Sequence, residues 1–176
     1  EILCAEIVEE WCDHNVPIRK LRYKDHREQA LRGEDVIGVR LTEENQLSIL
    51  KGEAKSAQAL STDTVTSARE GLEANSGRPT AHAMIYLARK LLNSGSLDDQ
   101  SLGELILKES KRAEVPKDRI AHCLFVLSGN PANDMLDDDF EAADGGRDQF
   151  IIQIQIPDHA ALVEAVYEKV IDLEVD

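Results

Sequence analysis

The stretch QLSILKGEAKS, residues 46–56, decides how this chain of 176 residues folds. Its first half is an apolar run with the length and composition of a β-strand. A second strand-like run, DVIGVRL, lies just upstream at residues 35–41, and the polar segment TEEN between the two runs has the composition of a turn. We therefore predict a β-hairpin formed by residues 35–41 and 46–54.

A turn centred on Glu44 determines which residues of this hairpin lie opposite each other. Asp35 becomes the cross-strand neighbour of Glu53, and directly opposite residues have Cβ atoms about 4.5–5.5 Å apart. Side chains alternate between the two faces of a strand, so Glu53 and Lys55 share a face while Ala54 points away. The sequence thus predicts that Asp35, Glu53 and Lys55 converge at one end of a sheet.

The remaining segments predict helices around a central sheet. Helical spacing and capping residues predict helices at residues 2–13, at 19–31, from Ser61 or Thr62 to about Leu72, along the stripe Met84–Leu92, and after Asp158. Two further strands are expected: IAHCLFVLS at 120–128, suited to burial on both faces, and the alternating FIIQIQI at 150–156. The expected fold class is α/β or mixed α+β, with a central mixed sheet flanked by helices.

Composition and charge narrow the classes of function. The net charge of −14 argues against a free-standing nucleic-acid binder. The charge is uneven, because residues 134–176 carry 13 acidic and two basic side chains whereas residues 18–32 carry six basic and two acidic ones. No apolar run approaches the roughly 18 residues of a membrane helix, and no secretory signal is visible. With three widely spaced cysteines and no C-x-x-C pair, we expect a cytoplasmic protein without disulfides.

We expect residues 1–176 to form one domain, of which residues 134–176 are an acidic C-terminal part. The length suffices for a single compact core, and neither an internal repeat nor a Pro/Gly/Ser-rich linker divides the chain. The first residue is Glu rather than Met, which leaves open whether an N-terminal segment precedes it. The oligomeric state stays undetermined.

The predicted convergence of Asp35, Glu53 and Lys55 indicates a metal site. Two carboxylates at such a short distance repel each other unless a positive charge neutralises them. Their oxygens suit Mg²⁺ or Mn²⁺, and Mg²⁺ keeps several waters and accepts phosphate oxygens as further ligands. Lys55 would orient a water molecule or stabilise the charge that develops on a phosphate. We therefore predict a metal bound by Asp35 and Glu53, and a phosphodiesterase activity assisted by Lys55.

The order of Asp35, strand, turn, strand and Glu53-Ala54-Lys55 resembles the PD-(D/E)xK signature of the restriction-endonuclease-like nucleases. More narrowly, GEDVIGVRL, KGEAKS, the later HCLFVLSGNPAND and the acidic C-terminal region are similar to the HamA family, the nuclease subunit of Hachiman anti-phage defence systems. This resemblance implies a restriction-endonuclease-like fold and a metal-dependent DNA nuclease. It also implies Asp35 and Glu53 as metal ligands, and Lys55 as the catalytic lysine.

The same resemblance implies a partner and a further acidic residue. The partner is a helicase subunit, HamB-like, that holds the nuclease in check. The superfamily often carries another acidic residue on the helix before the first strand, and Glu28 is the best positional match, with Glu34 a weaker one. The chain departs from the signature in one place, since Glu34 stands where a proline would precede Asp35.

Alternatives remain open at this stage. Glu53 and Lys55 could form an exposed ion pair on an edge strand, worth roughly 0–1 kcal/mol. The chain could also be a catalytically inactive acidic interaction module with a nuclease-like fold that docks a larger partner. The basic stretch at residues 18–32 either contacts phosphates or balances the acidic C-terminal third.

Overall fold

A computed structural model describes residues 1–19, 24–26, 29–30, 34–112 and 115–174. In chain order its elements are α1 (Ile2–Trp11), β1 (Lys24–His26), β2 (Gln29–Ala30), β3 (Val36–Leu41), β4 (Leu47–Ala57), α2 (Thr62–Glu73), α3 (Ala81–Leu92), α4 (Leu97–Arg112), β5 (Ile120–Ser128), α5 (Asn133–Ala142), β6 (Gln149–Gln155) and α6 (His159–Glu174). Within these described ranges, no helix has the length and apolar character that crossing a membrane requires.

β3 and β4 form the predicted antiparallel hairpin in the predicted register. Their pairing runs from Leu41 opposite Leu47 to Val36 opposite Gly52. The turn between them includes Asn45 at a φ of 57°, a left-handed conformation in which Asn is enriched. The apolar runs and the turn composition therefore select the same pairing.

β4 is a central strand of a mixed four-stranded sheet with the order β3-β4-β5-β6. β4 pairs with β5 in parallel, and β5 pairs with β6 in parallel. Parallel strands of this kind are buried on both faces, so their sequences are continuous apolar runs. In β5 every residue except Leu127 is buried. The predicted fold class, a mixed sheet carrying the hairpin and flanked by helices, is confirmed.

Helices cover both faces of the sheet. On one face, α1 contributes Cys4 and Val8 to a cluster that also contains Leu50 and Cys123. Cys4, Cys12 and Cys123 are free and buried. On the opposite face, the buried residues of α2 and α5 pack with β5, while α3 and α4 pack with the beginning of β4. The face under α2 is the one that carries the charged residues of β4.

A buried ion pair joins α2 to α5. Arg69 lies against Asp139 with two hydrogen bonds, of 3.0 Å from Nε and 2.6 Å from Nη2, and its Nη1 donates to Gln149 of β6 at 2.8 Å. Both side chains of the pair are only about one-tenth exposed. Removing one partner of such a pair leaves an uncompensated buried charge, so the contact holds α2 in place over the sheet.

The helix predicted at residues 19–31 is wrong for the part of this segment that the structure describes. Lys24–His26 and Gln29–Ala30 instead pair as the two short antiparallel strands β1 and β2. The sequence KDHREQ at residues 24–29 contains no apolar side chain. A helix there would have no apolar stripe to pack, and short helices without tertiary packing are marginal in water.

Candidate active site

Asp35 lies at the point where β3 begins. It is one residue beyond the pair Val36–Gly52 and hence opposite Glu53. Its Oδ2 accepts a hydrogen bond of 3.0 Å from the backbone N–H of Ala54. The carboxylate thus replaces a backbone acceptor where the β3 ladder stops, which anchors Asp35 beside the charged segment of β4.

Glu53 and Lys55 lie together on the face of β4 that α2 covers. Lys55 Nζ donates to Glu53 Oε1 at 2.7 Å, and the two side chains are 18% and 28% exposed, Glu53 being the more buried. Both residues pair through their backbone with β5, whereas the β3 ladder ends at the pair Val36–Gly52, so β4 has a strand neighbour on one side only at this point. The alternative of an exposed ion pair is wrong in its exposure, because both side chains are partly buried.

The Glu53 carboxylate fits against Gly71, near the end of α2. A Cβ added at Gly71 would lie 3.2 Å from Glu53 Cδ and 3.3 and 3.4 Å from its two oxygens. Contacts this short are tighter than ordinary van der Waals packing, so a larger residue would displace the carboxylate. The glycine leaves the space that Glu53 occupies.

The donor set fits a hard divalent cation. Among the residues that the structure describes, no group of three or more His, Cys, Asp or Glu side chains could hold a metal. Asp35 and Glu53 therefore supply at most two carboxylates. Mg²⁺ is commonly held by one or two carboxylates together with waters and substrate phosphates, whereas zinc sites take three or four protein ligands. Oxygen donors of this number suit Mg²⁺ or Mn²⁺.

The two other acidic candidates have different outcomes. Glu28 lies outside the described residues, so its predicted role stays a prediction. Glu34 accepts a hydrogen bond of 2.7 Å from the backbone N–H of Thr80 and one of 3.4 Å from its hydroxyl, at the residue that caps α3. Those contacts explain Glu34 as a residue that orders the start of α3.

Lys51 is a buried cation on the same face of β4 as Glu53. It is 3% exposed, and its Nζ donates to the carbonyl of Ala74 at 2.9 Å. Burial lowers the pKa of this lysine, and the charges of Glu34 and Glu53 act in the opposite direction. Sequence reasoning missed Lys51, although the period-two spacing of Lys51, Glu53 and Lys55 was a signal that could have found it.

Comparison with known proteins identifies the family of the chain. No curated protein matches the chain. The sequence model of the family HamA matches residues 1–170 of the 176 residues. That match covers the hairpin, the charged residues of β4 and all four strands of the mixed sheet. The chain therefore belongs to the HamA family, which marks it as a component of a Hachiman anti-phage defence system.

Proposed function

We propose that the chain is a Mg²⁺- or Mn²⁺-dependent DNA nuclease that hydrolyses phosphodiester bonds. The observation that carries this proposal is the cluster at the start of the hairpin. Asp35 is anchored to Ala54 at 3.0 Å, and Glu53 is paired with Lys55 at 2.7 Å and bordered by Gly71. Together these residues supply two carboxylates and one ammonium group at one end of a sheet.

Each of these residues has a distinct role in the proposed reaction. Asp35 and Glu53 would hold the cation, which supplies a lowered pKa for a bound water and a positive charge for the phosphodiester. Lys55 would hold the attacking water by a hydrogen bond, or stabilise the negative charge that grows on the phosphate. Gly71 and the backbone N–H of Ala54 would keep the two carboxylates in position.

Lys51 supports the proposed role of Glu53 as a metal ligand. Its ammonium group lies within the electrostatic reach of Glu53, because the charge of Glu53 acts on the pKa of Lys51. A fixed cation attracts a nearby carboxylate. Lys51 would therefore stabilise the negative charge of Glu53 on this face of β4.

The family assignment extends the proposal to a partner. In a Hachiman system we infer that a HamB-like helicase subunit controls the nuclease and brings DNA to it. The net charge of −14 supports such control, since an acidic chain alone approaches DNA against repulsion. A partner that carries the DNA would remove this barrier.

Plasmid cleavage tests the activity. The full chain, alone and with its helicase subunit, is incubated with Mg²⁺ and with EDTA, and compared with Asp35→Asn, Glu53→Gln and Lys55→Met. We expect Mg²⁺-dependent cleavage that each substitution lowers by roughly 100-fold or more, the size of loss typical for a catalytic or charge-stabilising group. Wild-type cleavage by the Glu53 and Lys55 variants would remove these residues from the reaction.

The alternative of an inactive interaction module keeps one supporting observation. Acidic side chains of α5 and α6, among them Asp134, Asp137, Asp138, Glu164 and Glu168, are exposed and form an acidic surface suited to a basic partner. Calorimetry separates the two proposals. Metal binding that Glu53→Gln abolishes supports the nuclease, whereas partner binding with no metal binding supports the module.

A further inference from the structure

A polar cavity lies between the segment 76–78 and the start of β5. Its volume is about 450 Å³, and its charged and titratable lining residues are Glu73, Arg78, Lys117, His122, Asp144 and Arg147. Three cations thus face two carboxylates, in a chain whose net charge is −14. A concave site with a local excess of positive charge attracts anions.

Arg147 is built into the wall of this cavity. Its side chain is 5% exposed, its Nη2 donates to the carbonyl of Ser76 at 2.6 Å, and its Nε lies 3.6 Å from Asp144 Oδ2. The guanidinium occupies space that any side chain at Gly77 would fill, since a Cβ there would lie 2.6 Å from Nη2. Among the described residues, the buried Nη1 has no hydrogen-bond partner. A buried charged donor without an acceptor is costly, which points to a ligand that completes it.

His122 forms the floor of the cavity. The side chain is 1% exposed, and its Nε2 donates to the carbonyl of Gly77 at 2.9 Å. Burial lowers the pKa of His122 to about 4, so the imidazole is neutral at pH 7 and its Nδ1 is an acceptor. Nδ1 is also buried without a hydrogen-bond partner in the described part of the chain. It suits an ordered water or a hydroxyl beside the anion.

Asp144 is the carboxylate of this cavity that pairs with two of its cations. Its carboxylate pairs with Lys117 as well as with Arg147, and the hydrogen bond from Lys117 lowers its pKa. The side chains of Lys117 and Asp144 are 48% and 35% exposed. An external anion can therefore reach Lys117 and compete with Asp144 for it.

The segment Ala74–Gly77 links the cavity to the charged face of β4. Its first carbonyl accepts a hydrogen bond from Lys51, and its last accepts one from His122. Lys51 is two residues along β4 from Glu53, a distance of about 6.6 Å. His122 lies opposite Lys51 on β5, about 4.8 Å away across the sheet. The backbone of His122 is therefore roughly 8 Å from that of Glu53. Two or three nucleotides of one strand span such a distance at about 3.4 Å each.

We propose that this cavity binds a phosphate of the same DNA strand that is cleaved beside Glu53 and Lys55, an inference that rests on the proposed nuclease function. Arg147 and Lys117 bind the phosphate oxygens. When the strand binds, Asp144 gives up its ion pairs with these two side chains. The site would fix the register of the strand, because phosphate contacts position nucleic acid without reading its sequence.

Three variants of the full chain test this assignment. Lys117→Gln removes a cation from the cavity, and Asp144→Asn removes the carboxylate that pairs with Lys117. Arg89→Gln is the control, because it removes one positive charge from the exposed surface of α3. Affinity is measured for inorganic phosphate by calorimetry, and for a fluorescent single-stranded DNA by anisotropy in EDTA, which prevents cleavage. We expect Lys117→Gln to weaken both affinities about two- to fivefold, Asp144→Asn to strengthen them, and Arg89→Gln to leave them unchanged.

The salt dependence gives an independent readout. Loss of one phosphate contact makes the slope of log affinity against log salt shallower by about 0.7 for a single strand. Equal affinities in all four chains, or no phosphate and no DNA binding by the wild type, would overturn the site. Binding of inorganic phosphate without DNA would overturn its assignment to a strand.

The two proposals fail separately. If DNA affinity follows the variants but no chain cleaves DNA, the phosphate site stands and the nuclease is overturned. If Glu53→Gln abolishes cleavage and Lys117→Gln leaves DNA affinity unchanged, the nuclease stands and the phosphate site is overturned.

Discussion

Replacing Gly71 by Ala tests whether the position of the Glu53 carboxylate matters for turnover. The added Cβ lies 3.2 Å from Glu53 Cδ, about 0.3 Å or more inside an ordinary carbon contact, so the carboxylate must move by a few tenths of an ångström. Because a 1 Å displacement of a reacting group can cost on the order of 100-fold, we expect cleavage to fall roughly three- to tenfold. Stability should not fall with it, since Ala in place of Gly in a helix contributes up to about 1 kcal/mol.

The assay compares cleavage rate with the free energy of unfolding in urea, followed by circular dichroism. Ser67→Ala is the matched control, because Ser67 is an exposed residue of the same helix and the change raises helix propensity there as well. We expect that control to keep the wild-type rate. A Gly71→Ala chain that folds normally and cleaves at the wild-type rate would refute the reasoning that a precisely placed Glu53 carboxylate carries the reaction.

Three further perturbations follow from contacts described above. Folded His122 has a pKa of about 4 against about 6.5 when unfolded, so the folded chain binds fewer protons and stability is lost as pH falls from 6.5 to 4. Between pH 7 and pH 4, the free energy of unfolding of His122→Gln should therefore fall by about 3 kcal/mol less than that of the wild type, as measured by urea unfolding at both pH values. An equal fall in both chains would contradict this prediction. Asp139→Ala should destabilise the fold by about 3–5 kcal/mol by leaving Arg69 buried and unpaired, while Asp138→Ala on the exposed side of α5 should change stability by less than about 0.5 kcal/mol. Chelation with EDTA should abolish cleavage and excess Mg²⁺ should restore it, whereas cleavage that persists in EDTA would argue against a metal-dependent reaction.

The hairpin could be predicted from the sequence because several local signals agree there. The polar turn at residues 42–45, the apolar runs on both sides and the strand length all select one register, and Val36 pairs with Gly52 as that register requires. β5 was equally clear, since a strand buried on both faces leaves a continuous apolar run. Agreement between local and tertiary preferences is what makes such segments predictable.

Other features depend on contacts that no local pattern contains. The role of Gly71 follows from the packing of α2 on β4, which joins residues distant in sequence, and Gly71 in the sequence is only a weak helix former. The contact of Glu34 with the start of α3 likewise depends on Thr80, which is 46 residues away in the sequence. The basic segment at residues 19–31 has scattered apolar residues that favour a helix, whereas no local pattern indicates the pairing of Lys24–His26 with Gln29–Ala30.

The charges along β4 also bear on how the chain folds. The β3–β4 hairpin is local and can form early, but β5 joins only after the 62 residues between Ala57 and Ile120 have been spanned. Until then β4 has an open edge of the kind that recruits other chains into aggregates. Lys51, Glu53 and Lys55 interrupt its apolar character, so the side chains proposed for catalysis also act as gatekeepers during folding. Refolding yields of Lys55→Met that fall with rising protein concentration faster than those of the wild type would show this second role; equal yields would dismiss it.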